Sequence, residues 1–411
     1  MHAWLLSWVS SFLGNLHQLG VWLSPPTALS IKHGPVMLLH LGKIPTIVFS
    51  SRPFSYAAHQ LLYGGNDMAF APYGSYWWQA RKICILELLS SRRVQSFKPV
   101  REEEVGRMIK KISSISSMEE EGKRIDIGHL TKELEELLGG FYVVDYFPSL
   151  EWIDILSGKK GRLGKNFKGW DDFLDQVLEE KSRMMTYDDD DQEQQHNNFV
   201  QMDGGTHGIQ FSRDNIMAIL LDMMTGATDT TTTTLEWAMA EFIKNPDAME
   251  KAQAEVRKVV GRRSKVEEDE ISQMGYLQAV IKHPFWFHMN PLQGYHIHPK
   301  TKVLINAWAI GRDPKSWENA EEFLPERFID DSTDYKGPDF RFIPFGAGRR
   351  GCPGMLFAIP TIELALANLL CWFDWKMPGN LTKDDLDLTE ALGAVVHKKI
   401  PLQLIPTHHF S

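Results

Sequence analysis

The sequence predicts a mainly α chain with minor β, and three patterns carry that prediction. The longest begins at Ser212 and keeps helical character to about Lys244, just before Asn245-Pro246. A second runs from the segment holding Trp77 and Arg81 to Lys111, with repeated charged faces. Extended character is confined to short runs such as Val36–Leu41 and Thr46–Phe49.

Taken in order, the chain opens on Trp4–Leu13, ten residues rich in apolar and aromatic types. A bilayer span needs about 20 apolar residues, so this stretch is too short to cross one. The two β-prone runs are separated by Gly42-Lys43-Ile44-Pro45 and read as a hairpin. Gly64-Gly65 and Pro72-Tyr73-Gly74 break the chain before the helical run of Trp77. Ser113–Glu121 is polar and expected as a loop, and the acidic run Asp188–Asp191 opens a solvated linker. Ser212 is a plausible N-cap for the long helix, and Asp214 puts negative charge in its first turn. At about 1.5 Å per residue that helix is roughly 50 Å long, enough to cross a whole domain.

A chain of 411 residues with 43% hydrophobic content can bury a large core. Its 44 basic and 53 acidic residues give a net charge of −9, which argues against nucleic acid as a partner. The three cysteines, Cys84, Cys352 and Cys371, form no C-x-x-C pair, so neither a disulfide framework nor a structural zinc site is indicated. There are no internal repeats, no P-loop and no dinucleotide fingerprint.

The most specific segment is Phe345-Gly-Ala-Gly-Arg-Arg-Gly-Cys352-Pro-Gly354, which fits F-x-x-G-x-R-x-C-x-G. Glycines such as Gly348 and Gly354 let a tight loop bring its backbone close to a flat cofactor. Cys352 opens an apolar helical stretch from Met355 onward. The positive end of a helix favours thiolate over thiol. A thiolate on haem iron pushes electron density outward and assists O–O cleavage. Arg349 and Arg350 could neutralise haem propionates, and Phe345 could pack beside the sulfur.

The long helix carries a second unusual segment, Gly226-Ala227-Thr228-Asp229-Thr230 followed by four more threonines. β-Branched side chains lose rotamer freedom in a helix, and threonine hydroxyls bond back to carbonyls a turn earlier. The helix is therefore expected to lose regularity here and admit a ligand and a water. Asp229 followed directly by Thr230 is an acid–alcohol pair able to relay protons.

With these segments in hand, the chain resembles the cytochrome P-450 family, and more specifically its plant microsomal members of specialised metabolism. The cysteine segment is similar to the family's haem-ligand loop, and Gly226–Thr230 to its oxygen-activation motif, with Ala227 where glycine is usual. Trp77-Trp78-Gln79-Ala80-Arg81 resembles the W-x-x-x-R helix. One turn separates Trp77 from Arg81, so both can address one propionate. Pro325-Glu326-Arg327-Phe328 resembles the P-E-R-F segment.

The resemblance implies the family fold, a long central helix over a haem-thiolate loop. It implies haem b as cofactor, with NADPH acting only indirectly through a reductase flavoprotein, and a small lipophilic substrate. Cys352 would be the axial iron ligand, and Arg350, Trp77 and Arg81 the propionate contacts. Residues 1–26 are expected to be a shortened anchor and hinge, and 27–411 a single, internally truncated catalytic domain. Association with the cytosolic face of the endoplasmic reticulum membrane follows from the same resemblance.

The chain also departs from the pattern. After Lys282 it passes straight to His283-Pro284, without the E-x-x-R segment that normally partners Arg327. Arg327 is therefore expected to need water or another acid, since an unpaired buried guanidinium costs several kcal/mol. Material is also missing between Ser51 and Arg52 and around Leu130–Leu134, and Pro360 is expected to interrupt the helix after Cys352. These losses support a second reading, a degenerate remnant that binds haem weakly or not at all.

Overall fold

The computed structural model describes residues 52, 54–114, 127–187, 211–261, 263, 265–282, 312, 316–329, 333–335, 341–346, 348–391 and 393–409. The anchor and hinge, the hairpin at 36–49, most of the polar stretch at 113–121, the acidic linker and the junction after Lys282 lie outside the described residues.

Helices dominate what is described. In the first half, α1 is Tyr56–Leu61, α2 Ser75–Ile83, α3 Ser91–Ser96, α4 Lys98–Ser114, α5 Ile127–Leu138, α6 Glu151–Leu156 and α7 Lys159–Tyr187. The expected single helical run from Trp77 to Lys111 is in fact divided. A π-helical stretch, Cys84–Leu88, follows α2, and Ser90 then turns to extended backbone before α3. Pro99 falls at the second position of α4, where its missing N–H leaves no bond unmade.

The second half holds α8 (Arg213–Lys244), α9 (Pro246–Val260), α10 (Gly275–Lys282) and α11 (Met355–Trp372). Strands β1 (Phe373–Lys376) and β2 (Ile405–His408) pair antiparallel, Phe373 opposite His408. Ser212 caps α8 as expected: its hydroxyl accepts from Asn215 N at 3.3 Å, and Asn215 Oδ1 accepts from Ser212 N at 2.9 Å.

Two apolar clusters share α8. Its C-terminal part, with Ala238 and Phe242, packs against Ala252, Val256, Leu277, Ile281 and Leu366 from α9, α10 and α11. Its N-terminal part, with Met217 and Leu221, packs against Leu61, Leu134, Trp170 and Leu174 from α1, α5 and α7. Fully burying each such side chain contributes about 1.5–3 kcal/mol. The ends of α8 are thus fixed in separate cores, while Gly226, Ala227, Thr228 and Thr230 at its middle stay exposed.

Two expectations about helix breaks are corrected. α8 continues as regular α-helix through the threonine run, because Thr230, Thr232 and Thr234 donate to the carbonyls of Gly226, Thr228 and Thr230 at 2.6, 2.9 and 2.8 Å without breaking the ladder. α11 runs on through Pro360, since burial of Ile362–Cys371 in the core holds its remaining turns.

Candidate functional site

The loop before α11 is shaped by two glycines in the left-handed region, Gly346 (φ +69°) and Gly348 (φ +76°). A side chain at either would strain the backbone. Cys352 N donates to Phe345 O at 2.7 Å and Gly351 N to Gly348 O at 3.1 Å, closing the loop on itself. The Phe345 ring meets Tyr335 edge-on at 5.9 Å.

Cys352 differs from the other two cysteines. Cys84 and Cys371 are fully buried, and burial pushes their thiols up to about 12 and about 11. Cys352 is exposed. Enough protein nevertheless crowds its sulfur for desolvation to raise the thiol above its ordinary value, opposed by the N–H groups of Gly354 and Met355 and by Arg81. Accessibility together with desolvation describes a recess. The expected pull of the helix N-terminus toward thiolate is present and is outweighed by burial.

α2 meets this loop. Arg81 donates to Gly351 O, and its guanidinium lies 5.5 Å from the Trp77 ring centroid. Arg350 stacks on the same ring at 4.3 Å and donates to Ala71 O at 2.6 Å and Ala69 O at 3.4 Å. Trp77 is buried, with its indole N–H donating to Met68 O at 2.9 Å. Trp78, by contrast, is exposed and carries Lys82 over its face. Arg349 lies over Tyr73 at 5.5 Å.

Burial, then repulsion from Arg52 and Arg81, lowers the Arg350 guanidinium to about 10, with Asp67 opposing. Arg350, Arg52 and Arg81 thus gather with one carboxylate, Asp67, among them. Beside them Met355–Ile359, all apolar or small, are only half-buried although they begin a core helix. A thiol in a recess, gathered guanidiniums and uncovered apolar surface suit the iron, propionates and flat face of a haem.

Sequence reasoning missed the acids behind this site. Asp222 on α8 accepts from Met68 N at 2.6 Å and Ala69 N at 3.2 Å, and Asp67 accepts from Phe70 N at 2.5 Å. Both carboxyls are raised, first by burial, and Asp222 also by Asp67. They pin the 66–71 loop whose carbonyls hold Trp77 and Arg350. Nothing in the local sequence marks either acid, because they meet across 155 positions only once α8 is in place.

Asp229 and Thr230 lie elsewhere on α8. Thr230 bonds within its own helix, and Asp229 sits 3.1 Å from His397 of the C-terminal segment. Burial raises the Asp229 carboxyl, and His397 and Lys132 draw it back. Arg327 is not short of partners, contrary to expectation. It donates to the carbonyls of Leu324, Glu318, Asn319 and Glu322 at 3.0–3.1 Å. Short-range turns around Asn319 bring neutral acceptors to it, so no acid is required.

The cytochrome P450 family model matches residues 113–405. Cytochrome P450 71A1 of Persea americana is 46% identical, covering 97% of this chain and 92% of that protein. Strychnine-11-hydroxylase of Strychnos nux-vomica is 40% identical over 96% of this chain and 89% of its own length. The first of these alignments spans 465 positions, more than this chain possesses, so the relative carries segments with no counterpart here. Among solved structures, a zebra fish cytochrome P450 with progesterone matches with a TM-score of 0.69 at 21% identity, covering 93% of this chain and all of that one.

Proposed function

Because the chain belongs to the cytochrome P450 family, we propose that it is a haem-thiolate monooxygenase acting on a small lipophilic plant metabolite. One atom of O2 enters the substrate and the other leaves as water. The two electrons come from NADPH through a separate reductase flavoprotein. The observation that carries this reading is that Cys352, alone of the three cysteines, is exposed, and that it lies beside Arg81 and Arg350.

In this reading haem b supplies the oxygen-activating chemistry when bound through the Cys352 sulfur. Arg81, Arg350 and the Trp77 helix hold its propionates, while Phe345, Gly348 and Gly354 shape the loop around the sulfur. Gly226, Ala227 and Thr228 leave the exposed middle of α8 free of bulky side chains for a substrate. Asp229 and Thr230 move protons toward the reacting oxygen. A name such as strychnine-11-hydroxylase among the relatives supports a polycyclic, lipophilic substrate class. Residues 27–411 act as one catalytic domain, and 1–26 serve as an anchor at the cytosolic face of the endoplasmic reticulum membrane.

The segments missing relative to 71A1 favour a second reading, a remnant that folds without holding haem. A carbon-monoxide difference spectrum of the reduced protein separates the two. A thiolate-type Soret band supports the monooxygenase, and the absence of any haem band supports the remnant.

A further inference from the structure

Outside the cysteine loop, the described residues hold a second built cluster of ionisable groups, and it centres on His397. Its Nε2 lies 3.1 Å from Asp229 Oδ2, and its Nδ1 lies 2.9 Å from Thr233 Oγ1. The imidazole and the carboxylate are largely enclosed, 16% and 12% exposed. Their facing atoms stand at ion-pair distance without completing a well-aligned hydrogen bond. Charge, more than direction, therefore links them.

Thr233 is the telling neighbour. Thr230, Thr232 and Thr234 return their hydroxyls to their own helix, whereas Thr233 turns its hydroxyl to the imidazole. The segment carrying His397 is clamped from two sides. Ala394 N donates to Glu135 O on α5 at 3.1 Å, and Trp237 Nε1 on α8 donates to Val396 O at 2.9 Å. A methyl group on Gly139 would lie 2.4 Å from the Gly393 backbone, so α5 and this segment touch main chain to main chain. A histidine held this firmly against the acid of a proton relay is more than a surface residue.

We propose that His397 is the positioning residue of the acid–alcohol pair: bridging Asp229 and Thr233, it fixes the Asp229 carboxylate and supplies its counter-charge. The proposal rests on the monooxygenase reading above. From α5, Glu135 and Lys132 also face Asp229, the first carrying like charge and the second opposite charge. Burial and the Asp229 charge push Glu135 up to about 7, so it is partly neutral when Asp229 is ionised. Removing the imidazole leaves Lys132 as the cation drawing Asp229 down, and the carboxyl then protonates more readily. The sign is fixed by this: the acid limb of the relay moves to higher pH.

The test compares wild type with His397→Leu, His397→Gln and His397→Arg, each as the haem-loaded, full-length protein with reductase. His397→Leu is expected to lower product formed per NADPH about tenfold, with the lost electrons appearing as peroxide, and to shift the acid limb upward. His397→Arg restores the limb, and His397→Gln keeps the hydrogen-bonding reach without the charge and does not. A second readout needs no turnover. Thermal unfolding of His397→Gln, Asp229→Asn and the double variant is expected to be non-additive. Additivity of the two substitutions, or an unmoved limb in His397→Leu, overturns the proposal. If those same preparations show a thiolate-type Soret band, the monooxygenase reading survives that failure. Without such a band in wild type, both fall.

Discussion

Arg350 and Arg327 both leave bulk water, yet their surroundings differ in kind. Arg327 gathers four neutral carbonyls from residues within nine positions of itself, and desolvation alone lowers it, with Glu322 opposing. Arg350 reaches across about 280 positions to Ala69 and Ala71, shares the Trp77 face with Arg81, and is depressed further by Arg52 and Arg81. A guanidinium ringed by carbonyls is a structural knot that is complete in itself. Guanidiniums crowded against one another repel, and in the monooxygenase reading their positive potential is what a dianionic cofactor would use.

The contrast can be broken most decisively at the Cys352 sulfur, beside the Arg350 group. Cys352→Ser should abolish the thiolate-type absorbance of the carbon-monoxide complex altogether, while circular dichroism stays helical. Retention of the parent spectrum would remove Cys352 from the site. The next largest effect should come from the arginines. Arg81→Leu and Arg350→Leu are each expected to weaken haem retention by about 10- to 100-fold, measured by transfer of haem to an apo-globin acceptor. Arg350→Lys should recover part of it, because charge survives although the forked geometry is lost.

The smallest effect on the site, and a purely structural one, belongs to Arg327→Ala. Loss of several hydrogen bonds to a charged group should cost about 2–3 kcal/mol of stability in denaturant unfolding. Haem transfer from the fraction that remains folded should be unchanged. A haem-retention loss as large as that of Arg350→Leu would show that the two arginines belong to one network and erase the distinction.

The cysteine loop was legible because its residues are neighbours in sequence. Left-handed glycines at 346 and 348, the arginines and the cysteine act within ten positions, and turn chemistry is local. The central helix was legible for the same reason, from the Ser212 cap to the Asn245-Pro246 stop. The threonine run misled because back-bonding to carbonyls a turn earlier is compatible with a regular helix when both ends are held in cores. Pro360 misled likewise, since burial of the following turns compensates for one missing bond.

What the sequence determined by itself was the helical class, the extent of α8 and the tight turns of the cysteine loop, all consequences of short-range periodicity and backbone conformation. Only the tertiary structure decided which charges meet. His397 reaches Asp229 and Thr233 from 164–168 positions away, and the Asp67–Asp222 pair and the Arg350–Trp77 stack span 155 and 273 positions. The physical reason is that desolvation and charge–charge energies depend on distance through space, which a linear chain does not encode locally.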